Sequence, residues 1–409
     1  MKCRHCGTAL EIRMVDLGAA PPSNAYLTSE RLAAPEKWFP LRVAVCTNCW
    51  LVQTEDFARS DELFTAEYAY FSSFSSTWLA HAKCYVDDIV LRLGLHDKSH
   101  VVEIGANDGY LLQYVQAHGV PCTGIEPTAS TAAAARSKGI PVVQEFFSLR
   151  LAAELEAQGK RADLVVANNV LAHVPDINDF VAGCATLLAP SGVATFEFPH
   201  LLRLIGGNEF DTIYHEHFSY LSLTAVDRVF AVNGLAVFDV EEHPTHGGSL
   251  RVFAQPPDTG VRVRTGAVSQ ILERERCAGM TTVAYYADCQ GKAEDVKNAF
   301  LTFLLSARRE RRTVAAYGAA AKGNTLLNYA GVRPDLIPFV VDRNPAKQGM
   351  FMPGSRIPIV SEARLQQEKP AFVVVLPWNL RDELMQQLQY ISAWGGKFVT
   401  AVPHLEVLP

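Results

Sequence analysis

No stretch of this 409-residue sequence approaches the roughly 20 consecutive apolar residues that a membrane span requires. The opening Met1-Lys-Cys-Arg-His-Cys6 also lacks the apolar core of a secretory signal. A cytoplasmic location and no membrane partner are therefore expected. Positive charge is not in excess, since 37 Lys and Arg stand against 43 Asp and Glu for a net charge of −6. That balance leaves no overall electrostatic footprint for a nucleic-acid partner. Cysteine is sparse: nine in the whole chain, an odd number widely spread, which argues against a disulfide framework. What is there is an ordinary globular composition, 49% hydrophobic and 20% charged, in a length that suits two or three domains.

The chain is organised around Val101-Val-Glu-Ile-Gly-Ala-Asn-Asp-Gly-Tyr-Leu-Leu112. Val101, Val102 and Ile104 make the apolar run of a buried strand. Gly105 permits a sharp turn, and Gly109 permits a ligand or strand to approach the helix that follows. Asn107 and Asp108 are good cap residues. Such a bend is expected to offer free backbone N–H groups to an anionic or carboxylate-bearing ligand. Two neighbours narrow the choice of ligand. Glu126 ends the next apolar run, Gly124-Ile-Glu-Pro127, at the separation where an acid meets a ribose diol. Glu103 lies two residues before the first glycine, which is more typical of S-adenosylmethionine sites than of NAD sites.

Apolar strands alternate with helices over residues 74–265, which predicts a doubly wound parallel sheet. The helices are expected at Trp78–Leu93 and Ser130–Lys138. Asp163-Leu-Val-Val-Ala-Asn-Asn-Val-Leu-Ala-His173 is a strand that turns polar at its carboxyl end. Asn168, Asn169 and His173 fall there, where ligands bind in open α/β sheets. Ahead of this domain, Cys3-x-x-Cys6 and Cys46-x-x-Cys49 form two knuckles whose four thiolates suit tetrahedral zinc at about 2.3 Å per Zn–S bond. Four cysteines leave no open position for water, so the zinc is expected to be structural. The other cysteines, Cys84, Cys122, Cys184, Cys277 and Cys289, read as buried small hydrophobes. Pro21-Pro-Ser-Asn-Ala-Tyr26 reads as an extended segment of a lid or docking module for the next domain. Glu67 to Thr77 mixes aromatics and hydroxyls; either it packs on the following helix, or Tyr68 or Tyr70 reaches the neighbouring active site.

Asp211-Thr-Ile-Tyr-His-Glu-His-Phe-Ser-Tyr220 places a phenol, a carboxylate and two imidazoles at consecutive positions, Tyr214 to His217. A His-x-His pair can ligate metal, and a surface loop can carry no chemistry at all. Acid/base work is favoured, because histidine titrates near neutral pH and tyrosine can stabilise a developing oxyanion. If the segment is extended, His215 and His217 face one side and Tyr214 and Glu216 the other. A turn would be needed to bring Tyr214 and His217 to one ligand.

Residues 101–199 resemble the class I methyltransferases motif after motif, with Asn107 standing where many members have a second glycine. A narrower resemblance runs over nearly the whole chain. The four N-terminal cysteines, Tyr68-Ala-Tyr-Phe-Ser-Ser73, Glu103-Ile-Gly-Ala-Asn-Asp-Gly109, Asn168-Asn-Val-Leu-Ala-His173, Tyr214-His-Glu-His-Phe-Ser219 and His246-Gly-Gly-Ser-Leu-Arg251 stand in that order. Together they look like the sugar C-3′-methyltransferases that act on nucleotide-linked deoxysugars. The resemblance implies a Rossmann-like central domain that holds S-adenosylmethionine through Glu103, Gly105, Asn107, Gly109, Glu126 and Asn168. It implies His217 as the base removing the C-3 proton of a 4-keto sugar, with Glu216, His173, Tyr214 and Tyr68 lining the same site and Tyr70 and Asn169 near the substrate.

The C-terminal part begins with helical patterns at Ala267–Glu275 and Ala293–Leu305. Thr313-Val-Ala-Ala-Tyr-Gly-Ala-Ala-Ala-Lys-Gly323 then reads as a second strand, glycine turn and helix. Strands follow at 338–342, 372–376 and 396–402, which makes a second Rossmann-like domain. Gly318 to Gly323 does not match the dinucleotide spacing, since alanine replaces the middle glycine. A helix N-terminus with one lysine suits a pyrophosphate, so Lys322 and Asn324 are the expected contacts to the substrate's nucleotide diphosphate. The expected organisation is a zinc-binding domain (1–73), a methyltransferase domain (74–265) and a substrate-nucleotide domain (266–409), acting as a monomer on a nucleotide-linked keto-deoxysugar. An NAD(P)-dependent sugar-nucleotide oxidoreductase is the alternative.

Overall fold

The structure is a computed structural model that describes residues 1–55, Leu63 and 71–409; Tyr68 and Tyr70 lie outside the described residues. Strands β1 (Ile12–Ala20), β2 (Phe39–Val45) and β3 (Val52–Thr54) open the chain. The middle part supplies β4 (Val101–Ile104), β5 (Cys122–Ile125), β6 (Val142–Val143), β7 (Ala162–Asn168), β8 (Leu188–Pro199), β9 (Ser219–Tyr220), β10 (Ala236–His243) and β11 (Ser249–Gln255). The C-terminal part adds β12 (Val314–Tyr317), β13 (Val340–Val341), β14 (Ile359–Val360), β15 (Phe372–Val375), β16 (Lys397–Thr400) and β17 (Glu406–Leu408).

These strands form three sheets. The central one has the order β10-β11-β8-β7-β4-β5-β6; β4, β5, β6, β7 and β8 run parallel, and β10 and β11 add an antiparallel edge. Its inner strands are apolar on both faces, as a parallel sheet covered by helices requires: Leu164, Val165, Val166 and Ala167 of β7 are all buried. The C-terminal sheet has the order β14-β13-β12-β15-β16-β17 and is parallel except at β17. Phe372–Val375 repeats the all-buried pattern there. In the N-terminal sheet the pattern changes to alternation. Leu41, Val43 and Val45 of β2 point inward while Pro40, Arg42 and Ala44 stay partly exposed.

The order of that N-terminal sheet is β1-β2-β3-β9. Its last strand comes from the middle of the chain, with Val52 opposite Tyr220 and Gln53 opposite Ser219. A single core joins Leu17 and Val43 of this sheet to Phe300, Leu326 and Val340 of the C-terminal part. Helix Ser76–Leu93 matches its expected span closely, whereas the pattern at 293–305 is the middle of a longer helix, Cys289–Arg309. Cys122 and Cys184 are buried as expected; Cys84 and Cys277 are exposed, so the reading of them as core residues is corrected.

Candidate active site

A cavity of about 530 Å³ lies between the carboxyl ends of the central and C-terminal sheets. Ile104, Gly105, Asn168 and Asn169 line it from β4 and β7, and Lys322 and Pro377 line it from the ends of β12 and β15. β4 is the point where the central sheet's order reverses, between β5 and β7, and β12 is that point in the C-terminal sheet, between β13 and β15. Open α/β sheets bind ligands at such points. Two crevices of that kind therefore share one cavity.

On the central-sheet side, Gly105 and Asn107 adopt left-handed backbone, φ +69° and +48°. That explains how asparagine serves where a glycine is usual: its short polar side chain tolerates this region. The Asn107 side chain is also employed, since its Oδ1 accepts from the Ser72 N–H at 2.9 Å. Its backbone N–H donates to Glu126 at 2.9 Å, and Glu126 accepts from Thr128 N–H at 2.9 Å. The amides of Gly105 and Ala106 donate to the Ile125 carbonyl, and that of Gly109 to Ala106. The expectation of free backbone N–H groups at positions 105–107 and 109 is thus corrected.

What this wall offers instead is acceptors. Asn168 Oδ1 and Asn169 Oδ1 line the cavity and are buried without a hydrogen-bond partner. Glu103 lies beneath the loop, fully buried and not in the cavity wall, and neither of its oxygens makes a hydrogen bond of good geometry. Burial lifts its carboxyl well above the usual range against the pull of the Tyr110 hydroxyl, and Glu126 and Asp108 add to the lift. Buried acceptors without donors suit a ligand that carries positive charge and N–H groups. S-Adenosylmethionine, with its sulfonium and ammonium groups, fits that wall. Phe146 and Phe147 line the same end and suit a flat base.

Gly109 is not in the cavity wall. It has φ +77°, and a Cβ there would collide with Ile140 Cδ1. Its role is packing, which corrects the expected donor contact. Gly109→Ala is expected to destabilise the fold by about 2–4 kcal/mol, from backbone strain plus overpacking. Methyl-donor affinity of the folded protein should change by less than about tenfold. Calorimetric unfolding and titration calorimetry check this pair of outcomes; a lost affinity with unchanged stability would return Gly109 to the binding wall.

Next to the stretch that follows β7, the segment after residue 211 is not extended. His217 N–H donates to the Tyr214 carbonyl at 2.9 Å, closing a tight turn. The turn brings Tyr214 and His217 together: the Tyr214 hydroxyl is 2.8 Å from His217 Nε2. His217 Nδ1 is 2.9 Å from the Thr212 carbonyl, so Nδ1 carries the proton and Nε2 accepts from the phenol. Burial, and then His173, hold His217 well below its ordinary pKa. His173 packs edge-on at 4.6 Å, donates from Nδ1 to the Glu216 carbonyl at 2.8 Å, and is lowered to about 4 by burial. His215 turns away, toward the Phe39 and Pro40 carbonyls, so the His-x-His metal reading fails.

Tyr214, Glu216, His217, His173, Asn169 and Lys322 all line the cavity. Asn324 does not: it is fully buried and engaged with Asn328, and its expected contact with substrate is corrected. Lys322 Nζ lies 4.2 Å over the Trp378 ring and 3.3 Å from Asn379 Oδ1. Asp211, raised to about 6 by burial, accepts from the Trp378 indole at 2.9 Å. Several cavity residues are given no site role by the sequence reading. Asn24 hydrogen-bonds Glu216, and Lys347 donates to the Ala319 carbonyl at 2.8 Å. His246 adopts φ +57° and lies 3.2 Å from Asn169. His246 was visible as part of a motif, and Lys347 as a cation just past an acid-ended strand, but neither signal assigns a place.

The four N-terminal sulfurs, Cys3, Cys6, Cys46 and Cys49, lie within 4.8 Å of one another. Cys3 is lowered to about 5 by the hydrogen bond from Cys49, whose own thiol is raised by the same contact. Four converging sulfurs with thiolate character fit a closed tetrahedral zinc site. Among the described residues no other such cluster occurs.

Three family profiles match in succession: a zinc binding domain over residues 3–64, a methyltransferase domain over 78–240 and a C-methyltransferase C-terminal domain over 244–403. The chain is also 34% identical over 407 residues to C-methyltransferase NovU of Streptomyces niveus, covering 100% of this chain and 96% of that one. The chain belongs to the C-methyltransferase family. As a C-methyltransferase it uses S-adenosylmethionine and carries a zinc-binding domain, and the oxidoreductase alternative is set aside. A ubiquinone biosynthesis O-methyltransferase of Rhodopseudomonas palustris is 29% identical over 93 residues, 23% of this chain and 37% of that one. Among solved structures, the glycopeptide N-methyltransferase MtfA covers 43% of this C-methyltransferase and 96% of its own chain at 16% identity, with a TM-score of 0.35. Magnesium protoporphyrin IX methyltransferase of Synechocystis PCC 6803 with bound SAM covers 44% and 80% at 16% identity, with a TM-score of 0.33. No helix among the described residues is long and apolar enough to cross a membrane.

Proposed function

We propose that this C-methyltransferase methylates C-3 of a nucleotide-linked 4-keto-deoxysugar through an enolate, with His217 as the base. The Tyr214–His217 pair carries the proposal: a neutral imidazole and a phenol, hydrogen-bonded at 2.8 Å, stand on the wall of the cavity that Asn168 and Asn169 also line. A C–H beside a ketone loses its proton only if the enolate oxygen is stabilised and the base is already in place. His217 is held in place by the Thr212 carbonyl, with Nε2 the only ring atom left to take a proton. Tyr214 turns its O–H from Nε2 to the developing oxyanion when the ketone arrives, which frees Nε2 for the C-3 proton. Bound S-adenosylmethionine supplies the electrophilic methyl group; Asn168 and Glu126 are its proposed contacts, and Asn169, expected near the substrate, lines the same cavity.

The nucleotide diphosphate is assigned to the C-terminal wall. Lys322 sits in the first turn of helix Ala321–Tyr329, where the helix dipole favours an anion, and Ala320 and Ala321 line the cavity beside it. A nicotinamide nucleotide has no comparable seat there. The turn from Gly318 to Gly323 has alanine where the dinucleotide fingerprint needs its middle glycine, and Asp342, the acid that would meet its ribose, lies 3.5 Å from the Lys347 ammonium. Titration with NADH is therefore expected to give no fluorescence enhancement; binding would reopen that question.

The direct test incubates the protein with S-adenosylmethionine and a 4-keto-deoxysugar nucleotide. C-3 methylation is expected, together with solvent deuterium entering C-3 when the methyl donor is left out. Exchange at C-5, on the other side of the ketone, would move the reacting carbon. Neither exchange nor methylation would end the assignment.

A further inference from the structure

Among the described residues of the N-terminal part, Asn24 and Ser72 line the cavity, and Asn24 does so at an acid. Asn24 donates to Glu216 Oε1 twice, from its backbone N–H at 3.2 Å and from Nδ2 at 3.1 Å. Glu216 is 1% exposed, lines the cavity, and has no partner for Oε2. Asn24 is itself held firmly. Two residues on, the Tyr26 hydroxyl donates to the Ala319 carbonyl at 2.6 Å, and Leu27 exchanges backbone hydrogen bonds of 3.0 and 2.8 Å with Phe351. Glu36 then pairs with Arg356 at 2.8 Å. The segment that carries Asn24 is thus pinned to the C-terminal part, while the acid it holds sits on the turn carrying His217. The N-terminal and middle parts meet at that carboxylate, and the segment that supplies Asn24 is fixed by the C-terminal part.

Taking the keto sugar proposed above as the acceptor, we infer that Asn24 is a positioning residue that occupies Oε1 of Glu216 and so turns Oε2 to accept a hydrogen bond from a hydroxyl or amine on the sugar ring. A buried carboxylate oxygen without a donor is unfavourable, and a ring N–H or O–H entering the cavity satisfies it. With Asn24 in place, Oε1 cannot compete for the same donor. Without the side-chain amide only the residue-24 backbone N–H still holds Oε1, so the carboxylate is less firmly oriented, and burial favours its protonated form, which donates where the substrate needs an acceptor. Burial already raises Glu216, and the Asn24 amides oppose that rise.

The experiment uses the full-length zinc-loaded enzyme. Asn24→Ala should lower kcat/KM about 10- to 100-fold, the range for a hydrogen bond to a charged group, with methyl-donor affinity unchanged. Asn24→Asp keeps the shape but faces one carboxyl with another. Its loss should be greater at pH 8 than at pH 6, because a shared proton restores the hydrogen bond. In a Glu216→Gln background, Asn24→Ala should add little further loss. Carbon-13 NMR of labelled glutamate, assigned by difference from Glu216→Gln, reads the carboxyl directly without any sugar. Its titration should move up by about one unit or more in Asn24→Ala. A loss in Asn24→Asp that does not vary with pH, an undiminished loss in the Glu216→Gln background, or an unmoved titration would overturn the role of Asn24. A wild type that methylates no keto sugar, with the titration still moving, overturns the acceptor assignment and leaves the Asn24–Glu216 coupling standing.

Discussion

His217→Asn is expected to lower methyl transfer by about 10²–10⁴-fold and to stop solvent exchange at the reacting carbon, while S-adenosylmethionine still binds. The substitution is matched to the site. An asparagine Nδ2 can take over the hydrogen bond that Nδ1 gives to the Thr212 carbonyl, and only Nε2 is lost. The donor wall, with Gly105, Asn107 and Glu126, belongs to other elements and should not respond. Rapid-quench turnover, NMR exchange and calorimetric titration of the methyl donor separate these outcomes. Unchanged turnover would remove His217 as the base. A pH profile sharpens the test. Burial and His173 depress His217, so the neutral, proton-accepting form persists well below the ordinary imidazole value of about 6.5. Wild-type turnover should therefore stay level between about pH 8 and pH 6 rather than halve near 6.5. Stability has its own pH limb. His173, lowered to about 4, contributes stability that is present above about 6.5 and is lost as pH falls through 4, because the unfolded chain binds the proton first.

Removing zinc should do more damage than unfolding two knuckles. Structural zinc contributes on the order of 10 kcal/mol in small domains, and four sulfurs within 4.8 Å repel one another without it. The first knuckle is also tied to the cavity. Arg4 donates to the Pro175 carbonyl at 2.8 Å, and His5 Nδ1 is 2.7 Å from Asn178 Oδ1, on the segment that follows His173. Pro175 lines the cavity. Chelation, or Cys46→Ser, is therefore expected to lower the melting midpoint by roughly 10 °C or more and to abolish methyl transfer. Zinc content, scanning calorimetry and turnover, measured on one sample, decide it. An apo-protein that melts normally and still turns over would show that the knuckles are dispensable.

How much of this the sequence made legible depends on the range of the interaction. Val101–Ile104, Gly105 and the all-apolar runs at 164–167 and 372–375 are local signals, and the strands lie where those runs are. The zinc ligands could be read because their spacing alone is diagnostic. The Tyr214–His217 arrangement could not be settled, because two backbone conformations fit one tetrapeptide. The tight turn is fixed by neighbours far away in sequence, including Thr54, whose hydroxyl donates to the His217 carbonyl at 3.2 Å. Asn24, Lys347 and His246 stayed out of reach for the same reason. Each meets the cavity only because a distant segment folds over it; Asn24 and His246 stand in stretches the sequence marks out, but nothing local names their partners. Gly109 and Asn324 failed in the opposite way: each sits in a motif that names ligand contacts, yet tertiary packing uses it inside the protein.

Strand β9 starts two residues after His217 and closes a sheet whose other three strands come from the first 54 residues. A nascent chain cannot finish that sheet until residue 220 has left the ribosome, so the amino-terminal part must wait, with its outer edge open, for some 165 residues of later synthesis. Expressed alone it would keep that edge exposed, and a shortened enzyme starting at residue 74 would leave Ser219 and Tyr220 with no strand to pair. Cutting the gene between the first two parts would therefore separate pieces that were never independent, and mixing the two halves in one cell is the way to recover them.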